Sequence, residues 1–97
     1  MSPALVGVEL ACGAEAEAVA AAALESGDDV RVTRLPALVL VEAPGRLQID
    51  PELVRRHLGR ADWEVDDLQL IMASYFGFIG RWDRGGVTLE WQGPAGE

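Results

Sequence analysis

Between Gly13 and Gly27 the sequence is built mostly from alanine and glutamate, including the unbroken run Ala20 to Ala23. These are among the strongest helix formers, so the stretch predicts a helix through Ser26. Glu15 and Glu17 fall in its first turn, where negative charge complements the helix dipole, and Gly27 supplies an expected left-handed stop. The segments around it follow a different period. Ala4 to Ala11 alternates loosely as a first strand, and Asp29 to Leu35 sets Val30 and Val32 against Arg31 and Thr33. Beyond Pro36, the five apolar residues Ala37 to Val41 predict a strand covered on both faces or lying at an interface.

The second half repeats the alternation of element types. Glu42-Ala43-Pro44-Gly45 is a turn signal before a short strand, Arg46 to Ile49. Asp50 then caps a helix that begins on Pro51, with Glu52 adding favourable charge. Val54 and Leu58 face the core one turn apart. Arg55, Arg56 and His57 crowd the last turn, and Gly59 closes it. A polar, acidic connection from Arg60 to Asp66 leads into Leu68 to Ala73, which alternates like a strand. Asp83-Arg84-Gly85-Gly86 is a hairpin turn between Phe78–Trp82 and Val87–Trp91. Pairing Trp82 with Val87 sets Gly80 opposite Leu89 and Phe78 opposite Trp91, with Arg81, Thr88 and Glu90 on the other face. Gln92 to Glu97 reads as a frayed tail. The expected fold is α+β: a two-layer sandwich with an approximate βαββ duplication and two helices on mostly antiparallel sheet. A single domain is expected over residues 1–97, with an ordered core of about 4–91.

Charge and composition narrow the function. Sixteen acidic against eight basic residues leave a net charge of −8, which repels phosphate backbones and anionic lipid. Neither nucleic acid nor a membrane surface is expected as a partner. The acidity is read as solubility plus steering toward a basic rim on a protein partner. The N-terminus lacks a basic region before its short apolar stretch, and the alanine run is interrupted by glutamates, so a cytoplasmic protein is expected. Cys12 and His57 are the only residues of their kind, which excludes an internal disulfide, a thiolate cluster and a His-rich metal site. His57 is read as a surface residue at a helix end, and Cys12 as a small packed thiol. Asp62 to Asp67 resembles a calcium loop only superficially. Asp67 stands where that loop needs glycine, and Ala73 where it needs glutamate. Gly77, Gly80, Gly85 and Gly86 match no dinucleotide or phosphate loop. No catalytic residue, cofactor or metal is expected.

Two features exceed what a plain domain requires: Ala73-Ser74-Tyr75-Phe76-Gly77, and the apolar strand Leu38-Val39-Leu40-Val41. With Pro36 to Asp50, Leu58-Gly59-Arg60, Leu68 to Gly77 and the closing Val87-Thr88-Leu89-Glu90-Trp91, they carry a resemblance extending from Val6 to Trp91. The sequence resembles the regulatory, or effector, proteins of soluble multicomponent diiron monooxygenases. That family includes the phenol hydroxylase and toluene monooxygenase effectors and methane monooxygenase component B, and the phenol hydroxylase type is the nearest. The resemblance implies a cofactor-free protein, monomeric when free. It would bind the diiron hydroxylase over the helices enclosing its active site and, in functional association with the reductase, couple reductant and oxygen use to hydroxylation. It also implies that Ile71, Ala73, Ser74 and Tyr75 face the hydroxylase, with Phe76 and Gly77 as neighbours. Tyr75 departs from the small or hydroxyl residues common at its position, and it faces either the hydroxylase or the core. No counterpart of the long N-terminal tail of component B is expected. A βαββαβ order drawn through the same elements keeps an ACT-like small-molecule-binding regulatory domain as the alternative.

Overall fold

Seven strands and three helices follow one another in the computed structural model, which describes residues 4–91. The expected frayed tail, Gln92 to Glu97, lies outside the described residues. The elements are β1 (Leu5–Ala11), α1 (Ala14–Ser26), β2 (Arg31–Arg34), β3 (Leu38–Pro44), β4 (Arg46–Ile49), α2 (Pro51–Leu58), α3 (Val65–Ile71), β5 (Met72–Phe76), β6 (Phe78–Asp83) and β7 (Gly86–Glu90). The strands form a four-stranded sheet, β2-β3-β1-β5, and a three-stranded sheet, β4-β7-β6. Every pairing is antiparallel. The α+β class with helices on antiparallel sheet is as expected. The element order is βαβββααβββ, so the βαββαβ order behind the ACT-like alternative does not form.

Strand alternation builds the core. Val6, Val8 and Leu10 of β1 and Val39, Val41 and Ala43 of β3 are buried in one cluster with Ala16, Val19, Ala20 and Ala23 of α1. The alanines let the helix lie close to the sheet, so the composition that makes the helix also packs it. Leu38, Leu40 and Glu42 on the other face of β3 are only half-buried, so this strand is not covered on both faces. Its apolar run reflects a central place in the sheet, between β2 and β1.

Local chemistry explains the helix ends. The Asp50 carboxylate accepts from the Glu52 amide at 2.9 Å, Pro51 opens α2, and Gly59 ends it in the left-handed region at φ 75°. Gly27 ends α1 differently from expectation. It is extended (φ −149°, ψ 148°), and its N–H still donates to the Ala23 carbonyl. The predicted turn at Glu42–Gly45 contracts to one residue, because β3 runs on through Pro44. At Gly45, with φ 78°, the chain passes straight into the second sheet.

The largest correction lies between Arg60 and Ile71, where a third helix replaces the start of a predicted strand. Glu64 and Asp67 form a capping box, with the Asp67 carboxylate accepting from the Glu64 amide at 2.9 Å. Val65 and Leu68, three residues apart, are the buried pair that holds the helix down. Just before it, fully buried Trp63 donates its indole N–H to Glu15 Oε2 at 3.0 Å. The Trp63 carbonyl accepts from Arg55 Nε at 2.5 Å, so this connection is bound to both α1 and α2. The hairpin forms with Trp82 opposite Val87 as expected, but its register slips at Gly80. Ile79 lies opposite Leu89, and Phe78 opposite Glu90 in place of Trp91. A Cβ on Gly80 would meet Glu90 Oε1 at 2.5 Å, so the bulge leaves room for that carboxylate.

Candidate partner-binding site

The segment from Ile71 to Gly77 leaves α3 and forms β5, which among the described residues is an outer strand of the four-stranded sheet, paired with β1 alone. Gly7 lies opposite Phe76, Val8 opposite Tyr75 and Glu9 opposite Ser74. Leu10 then lies opposite Met72, which leaves Ala73 as a bulge. Ala73, Ser74 and Tyr75 are exposed, whereas Ile71, Phe76 and Gly77 are half-buried. Tyr75 shares a register position with buried Val8, yet at the sheet margin it remains 45% exposed. It is neither a core side chain nor free of the fold.

The half-buried members have defined neighbours. A Cβ on Gly7 would stand 2.9 Å from Phe76 Cζ and 2.9 Å from Glu42 Cβ, so the Phe76 ring lies across β1 at a residue without a side chain. Gly77 (φ 107°) presses on Val6, whose Cγ1 would be 2.7 Å from an added Cβ. This glycine serves both a positive φ and a close approach. At this point the chain leaves the first sheet for β6.

Three exposed apolar residues outside the nominated set flank the strand in sequence: Leu70 (83% exposed), Phe78 and Ile79. Their signal is legible in retrospect, since no residue from Leu68 to Gly80 is charged. The acids preceding this run have structural duties. Asp66 accepts from the Trp82 indole at 3.4 Å, Asp67 belongs to the capping box, and Asp62 meets Arg60 at 3.3 Å. At the hairpin tip, hydrogen bonds from the Arg81 guanidinium and the Gly85 amide hold the Asp83 carboxyl below its ordinary value.

Other chemistry-bearing residues are dispersed. Cys12 is exposed just beyond β1, with its thiol 4.0 Å from the Pro36 carbonyl, which corrects the expectation of a packed thiol. His57 does lie at the surface, where its Nε2 meets the Glu25 carboxylate and links α2 to α1. A polar cleft of about 350 Å³ runs between α3 and the hairpin tip, lined by Arg55, Glu64, Asp66, Trp82, Asp83 and Arg84. Among the described residues no group of three or more potential ligands is placed to hold a metal ion. Among the same residues no helix is long and apolar enough to cross a membrane.

Fold and site thus define a small α+β protein with an exposed, uncharged outer strand. The profile of the MmoB/DmpM family matches residues 4–90, and the chain belongs to that family. A chain from a structure of a phenol hydroxylase–regulatory protein complex superposes with a TM-score of 0.80 at 28% identity. The match covers 92% of this chain and 100% of that one. A chain from a second structure of such a complex gives a TM-score of 0.75 at 27% identity, covering 91% and 100%. No curated protein matches significantly.

Proposed function

We propose that this protein is the regulatory component of a phenol hydroxylase-type diiron monooxygenase, docking on the hydroxylase and tuning its active site without catalysing a reaction itself. The observation that carries this reading is the similarity, over 92% of this chain, to a chain of the phenol hydroxylase–regulatory protein complex. Ala73, Ser74 and Tyr75 supply the direct contact, with Ile71, Phe76 and Gly77 shaping the strand that presents them. An exposed tyrosine on an uncharged strand suits this role, because aromatic side chains bury much surface at low entropic cost. The net charge of −8 favours approach to a basic rim on the partner. Regulation follows from differential affinity. A protein that binds one state of the hydroxylase better than another shifts its population by that difference alone.

The test combines purified hydroxylase and its reductase with and without this protein, and follows product formed per reductant consumed. An increased ratio is expected. An unchanged ratio over a full titration, with the hydroxylase otherwise competent, would remove the coupling role. Incubating the protein alone with phenol and reductant should yield no product.

A further inference from the structure

We infer that Phe76 and Gly7 act as a peg and slot that position the docking strand, so that Phe76 influences partner binding from within the protein and not by touching the partner. The inference rests on the reading that β5 docks.

Among the described residues β5 is held from one side only, and the Ala73 bulge interrupts even that ladder. β5 therefore needs a further constraint if Ser74 and Tyr75 are to be presented in one arrangement. The row Glu42–Gly7–Phe76 crosses β3, β1 and β5 on the face carrying half-exposed Glu9, Leu40 and Glu42. Gly7 is nevertheless buried. Glycine inside a strand weakens it, and Gly7 is not among the glycines with positive φ. Its use here is space. An added Cβ would collide with the Val41 carbonyl oxygen and stand 2.9 Å from the Phe76 ring. One residue later Gly77 presses on Val6, which is buried on the opposite face. The end of β5 is thus clamped from both faces of the sheet, and the exposed residues immediately before it inherit that order. Pre-ordering a contact segment strengthens binding by removing entropy that would otherwise be lost on docking.

The test compares Phe76→Ala, Phe76→Leu and Tyr75→Ala by amide hydrogen exchange in the free protein and by affinity for the hydroxylase. In Phe76→Ala the β5 amides should exchange about tenfold faster while those of α1 and β3 keep their protection, and affinity should fall about tenfold. Phe76→Leu still covers Gly7 and should recover most of both. Tyr75→Ala should weaken binding without changing exchange. If Phe76→Ala weakens binding but leaves exchange unchanged, Phe76 is a direct contact and the peg is wrong. If it changes neither, the inference also fails, while the Tyr75→Ala result still supports the docking reading. If Tyr75→Ala and Ser74→Arg leave binding intact, that reading of the strand fails, and exchange alone decides the peg.

Discussion

The two outer strands of the four-stranded sheet present opposite chemistry. β2 carries Arg31 and Arg34, and Arg34 donates to both carboxylate oxygens of Glu17 on α1, with a shortest contact of 2.6 Å. β5, Met-Ala-Ser-Tyr-Phe, carries no charge. Exposed strand edges invite unwanted pairing, and charge is a common defence. β2 uses charge, whereas β5 has the Ala73 bulge, which breaks the regular ladder an incoming strand would need. The contrast shows how an edge can be closed to another strand yet keep uncharged side chains available for a folded partner.

Three measurements can break or sharpen that contrast. The largest effect is expected where both edges share support. Leu10 is fully buried, facing Val39 on one side and Met72 on the other. Leu10→Ala should cost about 3 kcal/mol in urea unfolding and loosen both edges together. Loss of protection confined to β5 would instead mark that strand as a separate unfolding unit. Next, Ser74→Arg transfers the β2 defence to β5. It should weaken hydroxylase binding about tenfold with little change in melting temperature, while Thr33→Arg on β2 leaves binding unchanged. Equal effects at the two positions would erase the distinction.

The smallest effect concerns the β2 ion pair. Hydrogen bonds from Arg34 hold the Glu17 carboxyl below its ordinary value of 4.5. A carboxylate with a lowered folded-state pKa stabilises the protein above the unfolded value and loses that contribution as pH falls through the folded one. Arg34→Ala should therefore lower the melting temperature slightly at neutral pH, and the gap from wild type should close on acidification below pH 4.5. High salt should also narrow it, because the pair is exposed. A gap that persists in acid would assign the effect to packing of the arginine stem.

Elements with local chemical punctuation were readable from the sequence: α1 from its composition, α2 from Asp50, Pro51 and Gly59, and the hairpin from Asp83 to Gly86. α3 was missed because Leu68 to Ala73 alternates, although the deciding signals stood earlier, in the capping pair Glu64 and Asp67 and the three-residue spacing of Val65 and Leu68. The slip at Gly80 and the division into two sheets depend on packing between distant segments, which no local pattern encodes. In the nominated segment, residue types were visible but their division was not. Whether Phe76 contacts solvent or β1 turns on Gly7, 69 residues away.

The differing surroundings of the three indoles also make the protein its own optical reporter. Trp63 is sealed from water and bound to Glu15, so its fluorescence should lie toward the blue and resist quenching by acrylamide. Trp91, 47% exposed, should emit further to the red and be quenched readily, and half-buried Trp82 should fall between them. Loss of the blue component would then register detachment of the connection that leads into α3, without any label.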